Sequence, residues 1–310
     1  MTPVASSASD SLFRNCLIPA IATPVTDDMA PDAARLAARG RGLLAEGADA
    51  IAVFGTTGEG PHFSAAQRQG ALERTVAAGL PASRLVVAAN ATALADVVAV
   101  ARHAVHLGAA AVLVMPPFYL RGATTETGVE RFYDAVIAGC DDPGLRLILY
   151  HFPDISGFAL TPTLVRRLID RHGATIAGLK DSGGNWDTTA AFIESLPELA
   201  VMTGTEVHTH RVIAAGGAGA LCGLANVMPQ LLRRLIDRPA QAEHLVSSIQ
   251  VLDDVISTHP FVPALKAVVA DLTGDAVWRR VMPPLSPLAE PQRLAMLARF
   301  RELFAVAQNG

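Results

Sequence analysis

From residue 16 onward, apolar and polar positions follow two alternating textures. Short apolar runs ending in Gly, Pro, Thr or Asn are each followed by a longer stretch with helical spacing. The apolar runs, read as strands, cover 16–22, 48–55, 84–90, 110–116, 145–152, 175–181, 199–204 and 219–226. The amphipathic stretches between them predict helices at 32–46, 64–79, 94–107, 126–139, 162–171, 187–196, 206–215 and 229–237. Ser64, Thr161 ahead of Pro162, and Asp187 stand where N-caps belong. Strand–helix units repeated in this way, with strands apolar on both faces, predict a parallel (β/α)8 TIM barrel of the α/β class. An open doubly wound sheet is the structural alternative. After the last unit the pattern turns helical, at about 240–258, 262–273 and 290–306, with "PPLSP" (283–287) between the last two. The expected organisation is a disordered N-terminal arm (1–14), a barrel (15–238) and a helical extension of the same domain (239–310).

Composition narrows the class of partner. The chain has 310 residues, 51% of them apolar and 17% charged, a net charge of −4 and a pI of about 6.1. Slight acidity without Lys/Arg runs argues against nucleic acid or an anionic membrane as partner. Cys16, Cys140 and Cys222 are widely spaced, form no CxxC pair, and read as reduced structural thiols. The stretch "MTPVASSASDSLF" has neither the basic nor the apolar region of a secretory signal. No apolar run is long enough to span a bilayer, so a soluble protein is expected, and the reduced thiols point to the cytoplasm.

In a barrel the loops after the strands form the working face. After the second strand comes "GTTGEG" (55–60), where backbone N–H groups and the hydroxyls of Thr56 and Thr57 can converge on one anion. A tight βα turn is the alternative. No Gly-Lys-Ser/Thr follows, so it is not a P-loop. "GGAGALCG" (216–223) fails as a dinucleotide fingerprint, because Cys222 stands where a glycine is needed and a strand follows. The fifth strand ends in Tyr150 and the sixth, its neighbour, in Lys180. A lysine at a buried strand end loses hydration, which favours the uncharged amine that attacks a carbonyl. Tyr150 beside it could move the protons of carbinolamine formation and loss. A Thr pair, a tyrosine and a lysine on strand C-termini suit a 2-oxo acid. Metal chemistry has little behind it: His208 and His210 lack a nearby third ligand and read as solvated or capping, and His103 and His106 as a helix face. Asp181 and Asp187 read as a loop residue and a cap.

Five motifs then carry a resemblance: "FGTTGEG" (54–60), "MPPFY" (115–119), "LYHFPDISG" (149–157), "GLKDSGGN" (178–185) and "GGAGALCGLANVMP" (216–229). In matching order, over about residues 15–305, the chain resembles the pyruvate-dependent class I aldolases of the dihydrodipicolinate synthase and N-acetylneuraminate lyase family. That resemblance implies the barrel with its helical extension, and a Schiff base between Lys180 and pyruvate or a related 2-oxo acid. It implies Tyr150 as proton shuttle, Thr56 and Thr57 as carboxylate receivers, and Thr57 as a further relay. Tyr119 matches a relay tyrosine lent by a neighbouring subunit, which implies a homotetramer built as a dimer of dimers. The backbone carbonyl of Leu221 matches a group that orients the intermediate. No metal or organic cofactor is implied.

Departures bear on the second substrate. Ile155 stands where dihydrodipicolinate synthases carry an arginine, and an aliphatic side chain cannot pair with a carboxylate. The acidic pair that holds sugar hydroxyls in sialic-acid lyases is half present, as Glu206 followed by Val207. Gly223 replaces an expected serine, and His151 an asparagine. Glu206 and Ser182 are expected to contact the aldehyde half, on position alone. The leading expectation is a Schiff-base lyase that joins or cleaves pyruvate and an aldehyde, or acts on a 2-keto-3-deoxy acid. The alternatives are a true 4-hydroxy-tetrahydrodipicolinate synthase, a sugar-acid dehydratase, and a catalytically inactive binding protein on the same barrel.

Overall fold

The structure, a computed structural model, describes residues 12–239 and 242–309. Eight parallel strands run in the order β1-β8-β7-β6-β5-β4-β3-β2: β1 (Cys16–Pro19), β2 (Ile51–Val53), β3 (Leu85–Ala88), β4 (Ala111–Val114), β5 (Leu147–His151), β6 (Ile176–Asp181), β7 (Ala200–Thr203) and β8 (Gly219–Cys222). A parallel bridge between Ala20 and Ala52 brings β1 back to β2 and closes the ring. This is the TIM barrel that the alternation of textures predicts, and the open sheet is set aside. Every strand is shorter than its apolar run, because the ends of the runs bend into turns.

The outer helices are α1 (Ala33–Ala45), α2 (Ala65–Ala77), α3 (Leu94–His106), α4 (Glu126–Cys140), α5 (Pro153–Ser156), α6 (Pro162–His172), α7 (Trp186–Ser195), α8 (Thr209–Ala214) and α9 (Pro229–Asp237). Local chemistry sets where they start. Ser64 accepts the Gln67 N–H and Gln67 returns the bond to the Ser64 N–H, closing a capping box. Thr161 accepts from the Leu164 N–H ahead of Pro162. The cap of α7 is Asn185, which accepts from the Thr188 N–H, so Asp187 lies inside the first turn rather than at the cap. Helix α5 was not foreseen; Pro153 can open a helix because its missing N–H has no helical partner there.

Strand parity sorts the core into layers. Leu147, Leu149 and Leu179 face the helices, whereas Ile148, Tyr150, Met202 and Leu221 fill the barrel. One irregularity decides the parity of β6. Leu147 pairs with Ile176, but the next residue, Ile148, pairs with Gly178, leaving Ala177 as an extra residue. This bulge turns every later residue of β6 to the opposite face, so Lys180 lies opposite Tyr150 inside the barrel. Asp181, expected in a loop, is the buried last residue of β6, where it accepts from the Thr189 hydroxyl at 2.6 Å.

Helices α10 (Ala242–Ser257), α11 (Phe261–Thr273) and α12 (Glu290–Asn309) follow the barrel. They bury Leu252, Leu265, Val268 and Phe300 with residues of β1, β8 and α9 in one apolar cluster. A buried ion pair joins this layer to the barrel rim. Glu59, at φ 55°, turns its carboxylate to the Lys266 ammonium of α11 at 2.5 Å and to the Met282 N–H at 2.6 Å. Gly60 admits no side chain, since a Cβ would lie 1.7 Å from the Phe54 carbonyl oxygen. Residues 1–11 of the expected N-terminal arm lie outside the described residues, and Phe13 is buried in the barrel layer. Among the described residues no single helix is long and apolar enough to cross a membrane.

Removing one partner of a buried pair strands the other charge. Lys266→Met should therefore cost about 3–5 kcal/mol of unfolding free energy. Adding Glu59→Gln should recover more than half of that loss. Urea denaturation of the four members of the cycle checks it, and additive losses would contradict it.

Candidate active site

Lys180 is 5% exposed. Its ammonium donates to the Tyr150 hydroxyl at 3.3 Å and lies 4.3 Å from the centre of the Tyr150 ring. The same hydroxyl stands 3.3 Å from Thr56 Oγ1. An amine, a phenol and an alcohol from β6, β5 and the loop after β2 thus form one continuous polar line. They open into a cavity of about 390 Å³ at the C-terminal mouth of the barrel, with Thr57, Ser182 and Glu206 also on its wall. A larger cleft, about 450 Å³, lies at the opposite end among Arg14, Arg146 and Glu198. It brings no comparable set together.

The remaining sequence-chosen residues divide. Leu221 is buried in the barrel layer beneath the cavity. Ile155 sits on α5 and packs against the cluster that contains Tyr150, off the cavity wall. Tyr119 is 79% exposed and its neighbour Leu120 66%, so neither reaches this cavity within one chain. His208 and His210 are half-buried: His208 occupies the N-cap position of α8 without a side-chain cap bond and lies edge-on to Trp186, and burial pushes both imidazoles down. Among the described residues no cluster of His, Cys, Asp and Glu could hold a metal ion.

Glu206 is the second ionisable group on the cavity wall. It is buried, and Oε1 accepts the Leu224 N–H at 2.8 Å. Burial pushes its carboxyl up to about 7, helped by the field of Asp253 and opposed by the Leu224 N–H and the Cys222 thiol. Burial, then Glu206, hold Cys222 well above the ordinary thiol range, so it lines the cavity as a neutral thiol. Behind the strands His151 is held neutral by burial, against the pull of Asp181. Its Nδ1 accepts the Leu160 N–H at 3.1 Å, leaving Nε2 as the protonated nitrogen, 3.7 Å from Asp181 Oδ1.

Sequence reasoning missed one whole wall. Phe152, Pro260, Phe261, Val262 and Leu285 line the cavity opposite the polar groups, most of them from the start of α11 and the segment after it. The signal was "PFVP" (260–263), two aliphatic or aromatic residues between prolines at a helix start.

A closed parallel barrel with a buried lysine–tyrosine pair at its C-terminal mouth is the layout of a class I aldolase or lyase. The Dihydrodipicolinate synthetase family profile matches residues 14–302, and the chain belongs to that family. It is 35% identical over 298 residues, 93% of this chain and 97% of the relative, to a protein of Chloroflexus aurantiacus named "Uncharacterized DapA-like lyase". Dihydrodipicolinate synthase from Agrobacterium tumefaciens str. C58 superposes with a TM-score of 0.87 at 29% identity, over 94% of this chain and 100% of that one. YagE of Escherichia coli K12, solved in complex with pyruvate, superposes with a TM-score of 0.84 at 25% identity, over 93% and 97%. The chain is therefore an enzyme, a lyase of the class I aldolase type.

The Glu206 shift has a consequence for stability. Between about pH 4.5 and 7 the unfolded carboxyl ionises while the folded one keeps its proton, so the folded state loses ground as pH rises. The loss approaches an order of 3 kcal/mol by neutral pH. Glu206→Gln should therefore match the wild type near pH 4 and gain in Tm over it progressively up to pH 8. A difference that does not change with pH would contradict the shift.

Proposed function

We propose that Lys180 forms a Schiff base with the ketone carbon of pyruvate, or of a 2-keto-3-deoxy acid, and that the enzyme joins or cleaves pyruvate and an aldehyde. The observation that carries this reading is the Lys180–Tyr150–Thr56 line, with both strand ends buried and the cavity open above it. The amine adds to the ketone and water leaves, with Tyr150 moving the protons of both steps. Thr56 and Thr57 receive the carboxylate, and Thr57 also relays protons. In the cleaving direction the C3–C4 bond breaks, its electron pair flows into the protonated imine to give an enamine, and the C4 hydroxyl loses its proton as the aldehyde departs. Protonation at C3 and addition of water then release pyruvate and the free lysine. The protonated imine lowers the barrel's catalytic barrier because it accepts charge that develops only in the transition state.

Tyr119 enters the proposal as a relay residue for a neighbouring copy, which accounts for an aromatic side chain exposed at the mouth loop. The corresponding assembly is a homotetramer, a dimer of dimers. The Leu221 carbonyl is proposed to orient the intermediate, and Ser182 and Glu206 to meet the aldehyde half. The barrel (15–238) and the extension (239–310) work as one domain in this reading, because residues of both line the cavity. A cytoplasmic setting fits the three free, buried cysteines. A true 4-hydroxy-tetrahydrodipicolinate synthase is disfavoured, since Ile155 supplies no charge for a second carboxylate.

Pyruvate release from a set of 2-keto-3-deoxy acids tests the proposal. Lys180→Ala should abolish turnover, and Tyr150→Phe should lower kcat by roughly 10²–10⁴-fold. Turnover that survives in Lys180→Ala would rule the mechanism out.

A further inference from the structure

The far side of the cavity has its own chemistry. Phe152, Phe261, Val262, Pro263 and Leu285 form an apolar wall. Facing them on this chain, the side chains able to make hydrogen bonds beyond the Lys180–Tyr150–Thr56 line and Thr57 are Ser182, Glu206 and the weakly bonding Cys222 thiol. Among the described residues Lys180 is the one cation on the cavity wall. In the proposed mechanism its charge is committed to the imine, and the threonine hydroxyls to the pyruvate carboxylate. A second anionic group would enter with no positive partner on this chain's cavity wall, and a buried charge without a partner is strongly disfavoured.

Gly223 explains how the apolar wall comes so close. A Cβ built there would lie 2.7 Å from Cζ of Phe261 and 2.9 Å from its Cε1, with Thr57 Oγ1 at 3.4 Å. The edge of the Phe261 ring thus rests on bare backbone at the end of β8, in the space that a serine would need. Ser182 is pinned in a similar way, because a Cβ on Gly204 would fall 2.2 Å from its hydroxyl oxygen. One side of the pocket has been filled by an aromatic ring and the other holds few polar groups. A polyhydroxylated chain would leave most of its hydroxyls unpaired against Phe261 and Leu285. Size also fits a compact partner. A dry cavity of about 150 Å³ holds benzene, so about 390 Å³ accommodates a three-carbon oxo acid beside an aryl or short alkyl group.

We infer that the second substrate is an uncharged, largely apolar aldehyde, aryl or short alkyl, carrying at most one hydroxyl for Glu206 or Ser182. The inference rests on the Schiff-base reading above and fixes the substrate class of the same site. Recognition comes from the Phe261 wall, and exclusion of anions from the lack of a second cation.

Two measurements on the intact protein separate the two readings. The first is borohydride trapping with pyruvate, with mass spectrometry of the Lys180 peptide. The second is kcat/KM for condensation of pyruvate with benzaldehyde, butanal, glyceraldehyde, succinic semialdehyde and glyceraldehyde 3-phosphate. The expected result is a pyruvyl adduct on Lys180, with benzaldehyde or butanal favoured over both anionic aldehydes by roughly 100-fold. Phe261→Ser should shrink that ratio about tenfold, while Phe261→Leu retains it. An adduct accompanied by preference for an anionic or polyhydroxylated aldehyde, or by no turnover of the apolar ones, overturns the substrate class alone. Absence of the adduct overturns the Schiff-base reading, and this inference with it.

Discussion

The extra residue in β6 is the constraint on which the site depends. Ala177 has no partner on β5, and its insertion shifts the remainder of β6 by one position. Because side chains alternate between faces, an unbulged strand would turn Lys180 toward the helices and Leu179 into the barrel. With the bulge, Tyr150 and Lys180 share a register position and both point inward, close enough for the 3.3 Å contact. The next pair, His151 and Asp181, then faces outward behind them. Neutral His151 takes the Leu160 N–H, and Asp181 takes the Thr189 hydroxyl and the Gly183 N–H. The two strand ends are held from behind by groups that need no contact with substrate.

The threonine turn is fixed from a different direction. Glu59 cannot reach water, so its carboxylate is satisfied by Lys266 and the Met282 N–H, both contributed by the C-terminal helical layer. That contact gives the extension a role beyond covering the barrel. The polypeptide that supplies Lys266 also supplies Phe261, and the one helix therefore braces the anion-binding turn and shapes the opposite wall of the cavity. Asn226 plays a comparable part after β8, donating to the carbonyls of Ala20 and Gly223 at 2.7 Å and accepting the Ala22 N–H. The segments that follow β8 and β1 are thereby tied together at the barrel mouth.

Much of this was legible in the sequence because short-range periodicity encodes it. The alternation of textures gave the eight units, and "GTTGEG", "LYHF" and "GLKD" marked three strand ends that the fold brings together. What was not legible depends on distant parts of the chain. The bulge at Ala177 leaves no mark in composition, since Ala-Gly reads equally well as regular strand. Asp181 reads as a loop residue until Thr189, one helix turn into α7, is seen to donate to it. The wall containing Phe261 comes from a segment that follows the last barrel helix, and only the tertiary fold sets it against Gly223. Glu206 stands out in sequence as an isolated acid, but the rise of its carboxyl to about 7 comes from burial that no local pattern records.

The central claim is that one geometric unit, Lys180 with Tyr150 and the threonine turn, captures a 2-oxo acid covalently. A crystal structure of the protein soaked in pyruvate tests it most directly. The account predicts continuous density from Lys180 Nζ to the C2 carbon, with the carboxylate hydrogen-bonded at Thr56 and Thr57 and the Tyr150 hydroxyl beside the new bond. Unmodified Lys180 in a pyruvate-saturated crystal, or pyruvate bound away from the threonine turn, would contradict it.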